Sequence, residues 1–323
     1  MKDAIGWGIL GAGRIAGRFA SELKTLEEAR LVAVGSRSAD KSASFASEFG
    51  FERAYGSYAE MLADPAVDVV YVATPHNFHC EHALLSLEAG KAVLCEKPFA
   101  VNAGETQRMI SRARERGLFL MEAMWSRFNP VTVQVREWLA AGRIAEPRML
   151  TADFGFRAAW NPETRLFSPH LAGGALLDVG VYVLALASMV FGRPAQVQAA
   201  AHIGETGVDE QTAMVLKYDQ GQLALLSCAV RTPSPHAARI EGTEGAIEIP
   251  AFWHATTARL TRSREEPVEA TGTFGFRYEA AEVMACLRAG QTESQRMPLA
   301  ESLAIVETMD RVREQIGLKY PFE

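Results

Sequence analysis

Ile9-Leu10-Gly11-Ala12-Gly13-Arg14-Ile15-Ala16-Gly17 closes an apolar run near the N-terminus and reads as strand, tight glycine turn and helix start. In such a corner Gly11 allows the sharp turn, Gly13 lets the backbone approach a pyrophosphate, and small Ala16 lets the helix pack close to the strand. The helix that opens at Arg14 and Ile15 presents free N–H groups to the anion. Residues 14–25 then read as helix, and Arg30-Leu31-Val32-Ala33-Val34-Gly35 as a β-branched apolar strand. Together they complete a β-α-β unit of about thirty residues. Where NAD-preferring proteins place an acid on the ribose 2′-hydroxyl, this chain has Ser36 and Arg37, with Lys41 one helical turn further on. Cations there suit a 2′-phosphate, which points to NADP with NAD as second choice.

The chain has 323 residues, enough for two domains, and its 48% hydrophobic and 22% charged content is that of a globular enzyme. A formal net charge of −6 and the lack of a basic run argue against nucleic-acid binding. With no signal peptide at Met1-Lys2-Asp3 and no apolar stretch judged long enough for a span, the expectation is a cytoplasmic protein without a membrane partner. Cys80, Cys95, Cys228 and Cys286 show no C-x-x-C spacing, so they read as reduced, buried thiols.

Alternation of strand and helix continues, with strands at 67–73, 91–95 and 118–121 and helices at 79–89 and 102–117. The composition changes at Trp125, Arg127, Phe128 and Pro130. This puts a cofactor-binding Rossmann domain, a doubly wound parallel sheet, at 1–122, and a substrate-binding and dimerisation α/β domain at 123–323. Strand-like runs at 148–157, 195–203, 211–218, 222–230, 237–241 and 245–249 follow one another between short turns, the grammar of an open, mainly antiparallel sheet. The amphipathic stretch at about 298–316 fits over either domain.

Two motifs carry chemistry. Ala73-Thr74-Pro75-His76-Asn77-Phe78-His79 lies at the C-terminal end of a parallel strand, where doubly wound sheets bind ligands. Its histidines at 76, 79 and 82 do not converge on one point, so no metal is expected; Thr74, Pro75, His76 and His79 are instead candidates to line the cofactor. Glu96-Lys97-Pro98 follows the next strand at the same edge. A charged lysine there can donate to a hydroxyl or carbonyl oxygen and polarise it.

These motifs, with Cys95-Glu96-Lys97-Pro98-Phe99 and Gly173-Gly174-Ala175-Leu176-Leu177-Asp178-Val179-Gly180-Val181-Tyr182, resemble the Gfo/Idh/MocA oxidoreductase family. The segments at 121–128, 205–209, 286–290 and 298–302 resemble its dimeric dihydrodiol dehydrogenase branch, also known for NADP-dependent D-xylose oxidation. The resemblance implies a homodimer through the C-terminal sheet, Lys97 as catalytic lysine and Tyr182 as the residue that takes the hydroxyl proton. Because a tyrosine with a pKa near 10 is a poor base at neutral pH, Lys97 would stabilise the phenolate or transfer the proton itself. Asp178 stands four residues before Tyr182, so on a helix both point into one cleft, where Asp178 would hold a substrate hydroxyl. Trp125, Phe154 and Trp160 are candidate apolar walls for a sugar face or a hydroaromatic ring.

The segment from Asn161 to His170, which precedes the glycine pair, departs from the branch pattern; Arg165 and His170 within it, and Arg157 just before it, are candidate hydroxyl or phosphate contacts. Two other classes compete. A non-catalytic NADP-binding sensor would keep Gly11, Gly13 and Arg37 but has no use for Lys97, Asp178 and Tyr182 together. A cofactor-retaining epimerase or glycosidase type would carry a bound cofactor through purification and form little net NADPH.

Overall fold

The structure, a computed structural model, describes residues 4–323. The chain forms two compact units and crosses between them more than once. One unit holds the chain through Ala100, Gly104–Trp125 and Gly275–Ser302; the other holds Val101–Ala103, Ser126–Phe274 and Leu303–Glu323. A single cut at residue 122 therefore does not describe the chain. Composition marks the first passage, but an amphipathic helix does not announce which sheet its apolar face will cover.

The first unit is built from β1 (Ile5–Leu10), α1 (Arg14–Leu23), β2 (Ala29–Gly35), α2 (Ala39–Phe49), β3 (Arg53–Tyr55), α3 (Tyr58–Leu62), β4 (Val69–Val72), α4 (His79–Glu88), β5 (Ala92–Glu96), α5 (Ala103–Arg116) and β6 (Leu120–Ala123). Its strands pair in parallel in the order β3-β2-β1-β4-β5-β6, the doubly wound arrangement. Every residue of β1, β4, β5 and β6 is buried, as expected when both faces of a parallel sheet are covered. Order reverses between β1 and β4, so the loops after these strands flank the switch point where ligands bind.

In the second unit, α6 (Pro130–Ala140) and β7 (Pro147–Gly155) lead to α7 (Val181–Phe191). The strands β8 (Gln196–Ile203), β9 (Asp209–Lys217), β10 (Leu223–Ala229), β11 (Ala238–Gly242), β12 (Gly245–Ile249), β13 (Thr257–Arg262) and β14 (Val268–Thr271) follow. Then come α8 (Arg277–Arg288), which belongs to the first unit, and α9 (Leu299–Ile316), most of which belongs to the second. In the first unit, Arg277 at the start of α8 pairs with Glu22 on α1 at 3.7 Å and Arg288 with Glu28 at 2.6 Å. In the second, Asp310 on α9 accepts the Ala103 N–H at 2.8 Å and Arg313 donates to the Val101 carbonyl.

The eight strands run β14-β13-β12-β11-β7-β10-β9-β8 and pair antiparallel except for β7 with β10. That parallel pairing is possible because α7, β8 and β9 supply the long return connection. β9 alternates buried Thr212, Met214 and Leu216 with exposed Gln211, Ala213, Val215 and Lys217, so one face is covered and the other open. The sequence reading of a span-free chain needs one correction: Pro169–Phe191 is long and apolar enough to cross a membrane by length and composition. In this structure 72% of its most apolar window is buried, the environment that makes a core helix apolar all round.

Candidate active site

The candidate residues named from sequence divide between the two units. In the first, Gly11 takes φ +100°, and a Cβ there would stand 2.9 Å from the Ala73 carbonyl, so the turn between β1 and α1 needs glycine. Gly13 differs: a Cβ there would meet nothing within 4 Å, and its extended backbone opens α1 with no side-chain cap and no acidic residue in the first turn. A helix start left open to an anion, with bare backbone in front of it, fits a dinucleotide pyrophosphate. Arg14 is exposed and Ile15 half-buried at this start, and Ala16 is fully buried against the sheet. Gly17 adds a contact the sequence reading did not assign, since a Cβ there would strike the Phe49 ring at 2.8 Å.

At the end of β2, Ser36 is buried, and its hydroxyl accepts the Ser38 N–H at 3.2 Å, which shapes the loop. Arg37 is exposed; burial raises the Tyr58 phenol and lowers the His82 imidazole, and the Arg37 charge is a smaller downward influence on both. Lys41 is exposed in the first turn of α2, where the Ser38 hydroxyl caps its N–H. Asp40 beside it sits in that same turn, where a carboxylate is favoured by the helix dipole.

The three histidines do not act alike. His79 is fully buried, with Nδ1 2.8 Å from the Pro98 carbonyl and Nε2 2.8 Å from the Thr74 carbonyl. Both ring nitrogens thus face backbone carbonyls, so the neutral ring, with its single N–H, donates to one of them and packs His79 between the loops after β4 and β5, leaving neither nitrogen turned to a cofactor. Burial holds its pKa down at about 4, with Lys97 and His82 acting in the same direction and the two carbonyls opposing. His82 Nδ1 lies 2.9 Å from the Thr74 hydroxyl, so Thr74 is anchored at both its oxygens. His76 is buried, its ring 5.6 Å from that of His79, and Pro75 is half-buried. Among the described residues no three of His, Cys, Asp and Glu gather as a ligand set, and all four cysteines are buried and free.

Lys97 follows β5, half-buried, and its peptide with Pro98 is cis. The backbone around it is tied at every residue. Glu96, buried, accepts the Tyr71 hydroxyl on Oε1 and the Lys97 N–H on Oε2 at 3.0 Å. His79 faces the Pro98 carbonyl, and Glu122 accepts the Phe99 N–H at 3.1 Å. Glu96 is thus turned inward as a brace. Burial, with Glu96 and Glu22 nearby, raises the carboxyl of Glu279 on α8 well above the usual range. Trp125, placed among the substrate walls by sequence, is buried in this unit with its ring 5.0 Å from Phe276.

The second unit positions Asp178 and Tyr182. The helix expected to carry both begins instead as a π-turn over Leu176–Gly180, which passes into α7 at Val181. Such turns shift side chains relative to a plain α-helix and are frequent at functional sites. Asp178 Oδ1 receives Arg165 Nη2 at 2.7 Å, with the carboxylate side chain 15% exposed. Tyr182 is buried, its ring 5.4 Å from Phe154 and 6.2 Å from Trp253. Asp209, fully buried, holds the start of this segment: Oδ2 accepts the Leu176 N–H at 2.8 Å and the Thr212 hydroxyl at 2.7 Å. Burial pushes its carboxyl up to about 7. Gly174, at φ +113°, leaves room for Asp209, whose Oδ1 a Cβ would meet at 2.2 Å, and Tyr320 near the C-terminus donates to the Gly173 carbonyl at 2.8 Å.

The remaining sequence candidates fall nearby or outside. Trp160 is 39% exposed, its ring 4.9 Å from Phe167 with the Arg231 guanidinium 5.7 Å above. Arg157 bridges to Arg231 through the backbone, and His170 is exposed. Trp253 and His236, which border Phe154, carry no periodic signal in the sequence, and only their ring contacts reveal them.

Residues 5–124 match a family profile described as "Oxidoreductase family, NAD-binding Rossmann fold", and residues 132–248 one described as "GFO/IDH/MocA C-terminal domain". The trans-1,2-dihydrobenzene-1,2-diol dehydrogenase of Danio rerio is 41% identical, with 98% of each chain covered; that of Mus musculus has the same identity and coverage. Among solved structures, KijD10, a 3-ketoreductase from Actinomadura kijaniata in complex with NADP and TDP-benzene, is similar at a TM-score of 0.85. It is 27% identical, with 97% of this chain and 98% of that chain covered.

Proposed function

Since the chain belongs to the Gfo/Idh/MocA family of NAD-binding oxidoreductases, we propose that it oxidises a ring-borne secondary carbinol, with NADP as preferred cofactor. A trans-dihydrodiol is the first substrate class and a sugar or cyclic polyol the second. The observation that carries this reading is 41% identity, with 98% of each chain covered, to a protein named for dihydrodiol oxidation. NADP, when bound, supplies the acceptor for the hydride that leaves the carbinol carbon. Tyr182 acts as its phenolate, a form that the Lys97 ammonium favours, and becomes the neutral phenol as it takes the hydroxyl proton. Asp178, its carboxylate oriented by Arg165, holds a neighbouring hydroxyl, a use that suits a vicinal diol. The test is the initial rate of absorbance gain at 340 nm with NADP or NAD over a panel of trans-dihydrodiols, D-xylose, D-glucose and inositols. NADPH formation with a dihydrodiol above all others supports the reading, and reduction of neither cofactor by any member sinks it.

Arg37 supports NADP over NAD through its place at the end of β2. A charge-assisted bond to a 2′-phosphate contributes about 1.5–3 kcal/mol, so Arg37→Ala is expected to weaken NADP binding about 10- to 100-fold and leave NAD binding nearly unchanged. Fluorescence titration with both cofactors checks it, and equal loss for both would contradict the assignment.

The open sheet face is the proposed homodimer surface. Leu225 and Val215 stand opposite each other on β10 and β9, at 42% and 41% exposed, with Met149 on β7 at 36%. Apolar side chains side by side on an uncovered sheet mark an association surface. A Val215→Glu, Leu225→Glu double variant is expected to sediment as a monomer where the wild type sediments as a dimer. A monomeric wild type would overturn this assignment.

A further inference from the structure

We infer that His236 is a positioning residue for Tyr182, acting through Trp253 and Phe154 with its imidazole fixed as the neutral Nε2–H tautomer; this rests on the reading of Tyr182 as proton acceptor. His236 sits between β10 and β11 in the left-handed region at φ +59°, a backbone that non-glycine residues adopt at a cost. Its surroundings hold it there. Its N–H donates to Asp153 Oδ2 at 2.8 Å, and its carbonyl accepts the Phe252 N–H at 3.0 Å.

The ring partners then decide the tautomer. Nε2 lies 2.6 Å from the Gly155 carbonyl, which can only accept, so Nε2 carries the hydrogen. Nδ1 lies 3.3 Å from Trp253 Nε1, whose N–H can only donate, so Nδ1 presents its lone pair. An imidazolium or the Nδ1–H tautomer would set two hydrogens against each other at the indole.

With the ring so fixed, the Trp253 indole is held by a directional bond as well as by packing. Trp253 stacks on Phe154 at 4.8 Å and 20°, and Phe154 also packs on His236 at 4.8 Å. The Tyr182 ring closes the group, lying against both Phe154 and Trp253. Rotation of the tyrosine ring therefore requires displacing two aromatic neighbours that His236 keeps in place. Proton transfer depends steeply on where the phenol oxygen stands, and small misplacements of reacting groups cost large factors in rate.

The experiment compares wild type with His236→Leu, His236→Asn, Trp253→Phe and Tyr182→Phe in the full-length chain. Each is followed by melting temperature, NADP titration, steady-state kinetics with a trans-dihydrodiol, and 15N spectra of the histidine rings. His236→Leu is expected to lower kcat about 10- to 100-fold with NADP affinity unchanged. His236→Asn restores most of it, since asparagine tolerates the left-handed backbone and its Oδ1 can accept the indole N–H. Trp253→Phe reproduces the kcat loss without disturbing His236 backbone. In wild type the 15N spectra show a protonated Nε2 and a bare Nδ1. A charged ring or the Nδ1–H tautomer overturns the inference whatever the kinetics, and so does unchanged kcat in a folded His236→Leu or Trp253→Phe. Full turnover in Tyr182→Phe instead overturns the reading of Tyr182, while the ring spectra still report on His236.

Discussion

Replacement of Lys97 by methionine lowers kcat by about 10³-fold while NADP affinity stays within about threefold of wild type, the loss expected when a positioned proton-handling group is removed. Methionine has nearly the length of lysine and none of its charge. The brace around the position stays intact, because Glu96, Pro98 and Phe99 are held through Tyr71, His79 and Glu122 and none of these bonds uses the lysine ammonium. The bond to the Glu96 carboxylate comes from the Lys97 backbone N–H and survives the change. Initial rates, with NADP titrations on the same preparation, separate lost chemistry from lost binding. Normal turnover in this variant would remove Lys97 from the reaction.

The second large effect concerns stability. Asp209 is buried at the start of the segment that carries Asp178 and Tyr182, and its carboxyl is pushed up from 3.8 to about 7. Because its folded-state pKa lies above the unfolded value, its contribution is full below about pH 4 and is lost as pH rises through about 7. Asp209→Asn keeps an acceptor oxygen and cannot ionise. The stability of wild type relative to this variant should therefore fall by about 4 kcal/mol between pH 4 and pH 7 and level off above. Asp209→Ala, by contrast, leaves the Leu176 N–H and the Thr212 hydroxyl without this acceptor and should cost about 2–4 kcal/mol across the range. Urea unfolding at a series of pH values measures both. A flat difference between wild type and Asp209→Asn would mean that the carboxylate is ionised in the fold throughout.

Much of the fold lies in local pattern. The turn at Gly11 and Gly13 requires its residue types for steric reasons, and strands buried on both faces leave unbroken apolar runs such as Val69–Val72. The Glu96-Lys97-Pro98 motif is legible because it sits at a strand end. What escapes is long-range or aperiodic. β3 has only three residues, and β13 carries Arg259 and Arg262 beside its buried Ala258 and Leu260, so neither makes a clear apolar run. The parallel pairing of β7 with β10 joins segments about seventy residues apart, and no local signal records it. The return of α8 to the first unit, where Arg277 and Arg288 meet Glu22 and Glu28 from the far end of the chain, likewise leaves no local signal. The π-turn before Tyr182 is held by Asp209, thirty-three residues beyond Leu176, and His79 reads in sequence as a residue lining the cofactor because only the fold brings two carbonyls to its ring.

The most direct test of hydride chemistry is the rate of NADP reduction by a trans-dihydrodiol deuterated at its carbinol carbons, measured against the undeuterated compound. The account predicts that both are turned over and that deuterium slows kcat/KM severalfold, because the carbon–hydrogen bond breaks in the step that Lys97 and Tyr182 assist. No NADPH from either compound, with a folded protein that binds NADP, would contradict it.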